Sequence, residues 1–310
     1  MSNLKQSGIC AICGNESKLK LKLSKEKILT ELGLYWNSIP PLGILDTDYD
    51  ILYCDNCEFE FSSPAFPGNN AFYSWIVGMK SYYSDNRWEF AIVVEKLKNK
   101  LNESLLDIGC GDGHFLDIVK KSLPRNNIHL NGLEQTTESI EAARKRGFNI
   151  FDFQVNSKIS ELISEKFDTI TLFHVLEHVS DPLEFLRNIL TILNQNGKVY
   201  ISTPLSPMHF EKFGLDICNY PPHHLSRFSI KSYNEIAKKI NCDIKCFTSP
   251  PSSILNRFFL CLRVGFKEIN CSKYTLIKKM IKNPLFTLKV LFYSIKNVDK
   301  NTVLVEFSVK

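Results

Sequence analysis

The chain has 310 residues and a formal net charge of +5, with 44% hydrophobic and 23% charged residues. These values are ordinary for a globular protein with room for one full α/β domain plus additions, and the charge is too mild for a dedicated nucleic-acid binder. The opening MSNLKQSGIC is polar and the sequence holds no long uninterrupted apolar run, so neither a secretory signal nor a membrane span is expected, and the expected setting is cytoplasmic.

Residues 1–61 contain two paired cysteines, Cys10-x-x-Cys13 and Cys54-x-x-Cys57, separated by 40 residues. Two such knuckles supply the four thiolates that a structural zinc prefers. Disulfides are the alternative, disfavoured in a reducing compartment. With all four positions filled by cysteine, no coordination site is left open, so Cys10, Cys13, Cys54 and Cys57 are expected to hold Zn2+ in a structural role. Short β-rich segments such as YDILYCDNCEFEF (49–61) surround the second pair.

Residues 62–100 form an aromatic connector, FYSWIVGMKSYYSDNRWEF (72–90), with helical spacing resuming at Trp88, Ile92 and Leu97. Tyr73, Tyr82 and Tyr83 are lid candidates there, unless they simply pack. From 101 to 249 strand and helix patterns alternate. Strands are expected at 104–109, 128–134, 148–153, 167–175, 197–203 and 242–248, and helices at 113–122, 136–146, 181–193 and 230–240. Such alternation argues for a mostly parallel sheet covered by helices.

The most informative stretch is SLLDIGCGDG (104–113). An apolar strand ends in a Gly-x-Gly-x-Gly turn at Gly109, Gly111 and Gly113, and a helix follows. Glycine lets the backbone approach a ligand closely, and a helix N-terminus adds unpaired N–H groups. Cys110 sits inside the turn, where its small size matters more than its thiol. Asp107 closes the strand. Glu134, at the end of the next strand, can take the two hydroxyls of a ribose.

An insertion at 250–300 carries Arg257, Arg263 and eight lysines against Glu268 and Asp299, interleaved with large apolar residues. It reads either as helices with a solvated basic face or as a surface that meets anionic lipid or a lipid-linked substrate. The last stretch, NTVLVEFSVK (301–310), alternates as a strand.

The segments LLDIGCGDGHF (105–115), GLE (132–134), FDTITLFHVLEHVSDP (167–182) and NQNGKVYISTP (194–204) together resemble the class I S-adenosylmethionine-dependent methyltransferases. The resemblance covers about residues 100–250. It implies a Rossmann-like α/β fold with a seven-stranded sheet, mostly parallel, whose last strand is inserted antiparallel. The domain order expected is a zinc-binding module at 1–61, a connector or lid at 62–100 and the methyltransferase domain at 101–310, with 250–300 as an insertion. The resemblance implies S-adenosyl-L-methionine as cofactor. Asp107 would orient its ammonium, the three glycines and Cys110 would give backbone access, and Glu134 would take the ribose. Asp152 and Phe153 would meet the adenine, and His174 would line cofactor or acceptor.

The segment YPPHHLSRFS (220–229) resembles the His-Leu-Ser stretch of small-molecule and sugar methyltransferases that supplies a catalytic histidine, which points to His224 as general base. In sugar C-methyltransferases a Tyr and a Glu precede that histidine. Here Pro221 and His223 stand in those places, which favours O-methylation. His223 and His178 remain candidates, or the pair ties down a loop. In quinone-pathway relatives an E-x-x-E-H pattern binds a divalent metal; His174, Glu177 and His178 give H-x-x-E-H, which could still bind one.

The function expected is methyl transfer to a small-molecule hydroxyl, a sugar or a polysaccharide or glycolipid precursor. The alternatives are an RNA base methyltransferase, a sugar C-methyltransferase and a non-catalytic cofactor-binding protein. Nucleic acid is not the expected partner, and peripheral membrane contact through 250–300 is an open possibility.

Overall fold

The computed structural model describes residues 7–77, 87–154, 159–267 and 271–310. In chain order its elements are β1 (Ser7–Ile9), β2 (Glu16–Leu23), α1 (Lys25–Trp36), β3 (Tyr49–Tyr53), β4 (Glu60–Ser63), α2 (Asn70–Val77), α3 (Trp88–Leu97), β5 (Ser104–Ile108), α4 (His114–Ser122), β6 (His129–Glu134), α5 (Thr137–Lys145), β7 (Asn149–Asp152) and α6 (Ile159–Leu162). Then come β8 (Phe167–Phe173), α7 (Pro182–Thr191), β9 (Leu193–Pro204), β10 (Ser226–Arg227), α8 (Ile230–Lys239), β11 (Cys242–Thr248), α9 (Ile254–Gly265), α10 (Lys273–Lys282), α11 (Pro284–Lys296) and β12 (Thr302–Val309).

The apolar runs of β5, β8 and β9 are buried because they are the centre of a seven-stranded sheet, ordered β11-β12-β9-β8-β5-β6-β7. β5 pairs in parallel with β6 on one side and β8 on the other. β12 alone runs antiparallel, to both β9 and β11. The mostly parallel Rossmann-like sheet with an antiparallel last strand is therefore present. Because β5 has its sequence neighbour on one side and a strand from 60 residues later on the other, the chain reverses its winding at the β5/β8 border. In open α/β sheets a crevice forms there, beyond the carboxyl ends of the strands.

Helix starts follow the local chemistry. Asp181 accepts from the Glu184 N–H at 3.0 Å, with Pro182 in the first turn of α7. Ser229 and Ser232 cap α8 reciprocally. Such caps contribute about 1 kcal/mol each, enough to fix where the chain leaves the loops at 174–181 and 205–229.

The N-terminal part holds a second sheet, ordered β1-β2-β3-β4-β10. Its last member comes from the far side of the chain: Ser226 and Arg227 pair antiparallel with Phe61 and Glu60. Its cysteine end packs into the main core, where Phe59 lies 5.3 Å from Phe228 between ring centres. Helix α1 departs from the short β-rich segments expected for residues 1–61. Ser24 caps it, and Ile28 and Leu32, one turn apart, bury its inner face.

α9, α10 and α11 fill the insertion between β11 and β12. They share a small core of Phe258, Cys261, Leu262, Leu276 and Val290 over the short turn His209–Lys212. No helix among the described residues is long and apolar enough to cross a membrane.

Candidate functional site

Two turns meet at the β5/β8 border. After β5, the N–H groups of Gly109 and Cys110 both donate to the Leu133 carbonyl, at 2.8 and 3.1 Å, which folds the turn back onto β6. Gly109, Gly111 and Gly113 have φ of +72°, +55° and +81°, a region that glycine enters without strain. A Cβ at Gly109 would lie 2.6 Å from Val175 Cγ2, and one at Gly113 would lie 2.9 Å from the Phe148 ring. A Cβ at Gly111 would meet nothing within 4 Å. The turn is thus packed at its two ends and open at its middle, the shape a ligand cradle needs. Cys110 is buried against Gly132, where an added Cβ would lie 2.5 Å from its sulfur. Burial pushes its thiol far up, so it stays protonated.

Two carboxylates face this turn. Glu134 Oε2 accepts from the Gly111 N–H at 3.0 Å, and Oε1 accepts from the N–H groups of Gln135 and Thr136 at 2.9 and 3.0 Å. Asp107 Oδ1 accepts from Thr171 Oγ1 at 2.7 Å. Burial raises the Asp107 pKa to about 7, against the opposing Thr171 hydrogen bond and the Arg87 charge. In its ionised form this buried carboxyl would suit a cationic ligand group. Asp152 ends β7 directly opposite Glu134 in register and is exposed. Phe153 packs against Phe151.

After β8, His174 adopts a φ of +58°, rare for a residue with a side chain. Its Nδ1 lies 3.2 Å from Glu177 Oε1 and its Nε2 3.5 Å from Glu89 Oε1. Burial disfavours its protonated form, but the hydrogen bonds to Glu177 and Glu89 outweigh burial and raise its pKa. The sequence gives little notice of Glu89. Its one signal is an acid one turn before Val93 on the buried side of α3.

His178 turns the other way. Its Nδ1 lies 2.5 Å from the His223 carbonyl, while His223 Nδ1 lies 2.8 Å from the Cys218 carbonyl. Donation to a carbonyl places the proton on Nδ1 and the lone pair on Nε2. The ring nitrogens of His178, His223 and His224 come within 4.8 Å of one another. Burial lowers the pKa of all three, His223 to about 3, so the cluster is neutral. The H-x-x-E-H ligand set that the sequence left open does not converge: Glu177 pairs with His174, and His178 joins the two histidines of the later loop. The physical reason is the tight turn Leu176–His178, which points the two histidines apart.

Glu177 links the two groups. Its Oε1 meets His174, its carbonyl accepts from the Leu225 N–H at 2.8 Å, and its buried Oε2 has no donor among the described residues. α2 adds a wall, with Tyr73 6.3 Å from His178 and Phe72 6.5 Å from His223 between ring centres. Of the lid candidates, Tyr82 and Tyr83 lie outside the described residues. Sequence reasoning missed what holds the histidine loop. Arg227 donates to Glu60 Oε1 and to the Tyr220 hydroxyl and pairs with Glu211, all within the protein interior.

The four thiols form a separate cluster. All Sγ atoms lie within 4.8 Å of one another, with Cys10–Cys57 at 3.5 Å and Cys13–Cys54 at 3.4 Å. Tetrahedral zinc with Zn–S bonds of about 2.3 Å needs sulfurs roughly 3.8 Å apart, so the donor set fits. The two knuckles are built alike: Gly14 and Glu58, each four residues after the first cysteine, take positive φ and return their N–H to the Cys10 and Cys54 carbonyls.

The sequence profile described as "Methyltransferase domain" matches residues 79–246. Among curated relatives, the ubiquinone biosynthesis O-methyltransferase of Actinobacillus pleuropneumoniae serotype 5b is 32% identical over 122 residues, 36% of this chain and 50% of that protein. The protein of the same name from Histophilus somni is 32% identical over 120 residues, 36% of this chain and 49% of that one. The chain thus spans about half the length of the curated relatives it matches. Among solved structures, a SAM dependent methyltransferase from Archaeoglobus fulgidus is 16% identical at a TM-score of 0.46, covering 71% of this chain and 94% of that one. The YcgJ protein of Bacillus subtilis is 13% identical at 0.44, covering 72% and 98%. With the profile running across the glycine turn, both histidine turns and the strands that carry them, the chain belongs to the methyltransferase domain family.

Proposed function

We propose that the chain methylates a hydroxyl of a small molecule and that the proton released goes to the cluster of His178, His223 and His224. The observation that carries this reading is the convergence of three neutral imidazoles beside the turn that follows β8. The relatives' name, O-methyltransferase, supports it over their matched half.

When bound, S-adenosyl-L-methionine supplies an electrophilic methyl group. The middle of the glycine turn would face the amino-acid end, Asp107 its ammonium and Glu134 the ribose hydroxyls, with Asp152 and Phe153 at the adenine. Positioning of this kind is worth about 7–11 kcal/mol. As the acceptor oxygen takes the methyl group, the methyl–sulfur bond would break to leave a neutral thioether, and the acceptor's O–H proton would move to an imidazole Nε2. His224 is the base expected from the sequence. His178 shares the role by geometry, being the least buried of the three with its tautomer fixed by the His223 carbonyl. The neighbouring Glu177 charge favours the imidazolium that results. A positioned base adds roughly two to four orders of magnitude in rate.

Within small molecules, the PHHLSRF segment and the cysteine module favour a sugar or a polysaccharide or glycolipid precursor. Pro221 and His223 speak against C-methylation. Zn2+ bound by Cys10, Cys13, Cys54 and Cys57 would be structural, cross-linking β1 and β2 to β3 and β4 near Phe59. The four-thiol set supports this, and metal analysis tests it: one zinc per chain is expected, and a metal-free purified chain would end that part of the reading.

The decisive assay measures release of the demethylated cofactor with pools of sugar nucleotides, polyhydroxylated phenols and bulk RNA. Turnover with a small hydroxyl compound, lost in His178→Ala or His224→Ala while cofactor affinity holds, supports the proposal. Methylation of RNA alone overturns it.

A further inference from the structure

The two outer helices of the insertion each present a stripe of large apolar side chains to solvent. On α10 these are Tyr274, Ile277 and Ile281, at 66%, 49% and 73% exposure. On α11 they are Leu285, Leu288, Phe292 and Ile295, at 83%, 49%, 61% and 51%. At 3.6 residues per turn each set falls within an arc of roughly 80°. The opposite faces, marked by Leu276, Val290 and Ser294, are buried in the insertion's own core. These helices are therefore packed, yet they leave an apolar face outward. Scattered exposed apolar residues need no explanation, but a stripe aligned along the outer face of a helix marks a contact surface.

The charges beside the stripes identify the occupant. Between residues 271 and 298 there are six lysines and no acid. Lys273, Lys278, Lys282, Lys289 and Lys296 are exposed and border the apolar arcs. We propose that α10 and α11 lie in the interface of an anionic lipid membrane, with the apolar stripes in the acyl boundary and the lysines at the phosphate headgroups. A second copy of this chain would bring two lysine-bordered faces together and repel itself, whereas an anionic bilayer satisfies both features at once. Val298, exposed beyond the end of α11, also lines a groove of about 570 Å³ with Leu205, Ser206, His209 and Tyr293. The inference does not depend on the methyl acceptor or on the histidine cluster.

Flotation of the full chain with vesicles tests it. The chain is expected to rise with phosphatidylglycerol-containing vesicles at low salt and to stay down with phosphatidylcholine alone, with binding falling as salt screens the lysines. The double variant Ile281→Glu, Phe292→Glu is expected to lose flotation while keeping its melting temperature and cofactor affinity, since both side chains are exposed. Lys278→Gln with Lys282→Gln and Lys289→Gln should weaken partitioning about a hundredfold. Failure of the wild type to float with anionic vesicles overturns the proposal, as does equal flotation of the double variant. Light scattering that shows a dimer dissolved by Ile281→Glu overturns it in favour of a second copy.

Discussion

The guanidinium of Arg227 lies 2.6 Å from the carboxylate of Glu60, and the two are 7% and 1% exposed. This pair joins the cysteine-bearing sheet to the loop that carries His223 and His224, four and three residues before Arg227. With β10 pairing against β4, it makes the N-terminal part a support for the proposed acceptor side of the site.

Glu60→Gln removes one charge from a buried network in which Arg227 keeps Glu211 and Tyr220. Breaking a buried pair typically costs about 3–5 kcal/mol, and the remaining partners place this variant at the low end. Urea denaturation is expected to show a loss of about 3 kcal/mol. The turnover number is expected to drop while cofactor affinity stays put, because the glycine turn does not touch Glu60. Equal losses in both would mean that the network has no special hold on the histidines.

Glu134→Ala removes the acceptor for three backbone N–H groups around the glycine turn. Hydrogen bonds to a charged group contribute about 1.5–3 kcal/mol, so cofactor affinity is expected to fall roughly tenfold to a hundredfold. Calorimetry with the demethylated cofactor reads this directly. Glu134→Gln should recover part of the loss, since the amide oxygen still accepts.

The glycines of the turn should separate fold from binding. Gly109→Ala drives a Cβ against Val175 and is expected to lower stability by about 1–3 kcal/mol. Gly111→Ala meets open space, so its cost to the fold is only the strain of a positive φ, about 1 kcal/mol. The added methyl nevertheless projects into the proposed cradle, and cofactor affinity should suffer more in Gly111→Ala than in Gly109→Ala. The reverse order of affinities would place the ligand elsewhere.

Asp107 carries a pH signature. Burial holds its folded-state pKa near 7, above the ordinary 3.8. The folded chain therefore keeps a proton that the unfolded chain releases between these values. The stability this group contributes is present below 3.8 and is lost as pH rises towards 7. Binding a cationic ammonium needs the carboxylate. Affinity should thus be flat above pH 7 and fall up to about tenfold per unit below it, with proton uptake by buffer on binding. A pH-independent affinity between 5.5 and 7 would remove Asp107 from the ammonium contact.

Much of this was legible in the chain. The strands and helices of 104–248 follow from hydrophobic period and glycine or capping residues, because local chemistry and tertiary context agree there. Glu134 and the glycine turn could be read for the same reason. The pairing of Arg227 with Glu60 could not, since it joins residues 167 positions apart through a two-residue strand with no periodic signal. The direction of His178 was hidden too: spacing alone left a shared ligand set with His174 open, and only the backbone of the turn sends them apart. Helix α1 carried its signal in Ser24, Ile28 and Leu32, outweighed by the β-rich segments around the cysteines.

The central claim is that the backbone at 109–113, with Glu134, receives the cofactor. Calorimetric titration of the zinc-loaded chain with S-adenosylmethionine and with its demethylated product tests it most directly. One-to-one binding of both, weakened about tenfold or more by Glu134→Ala and by Gly111→Ala, is the result expected. No binding of either ligand, or binding indifferent to both substitutions, would contradict it.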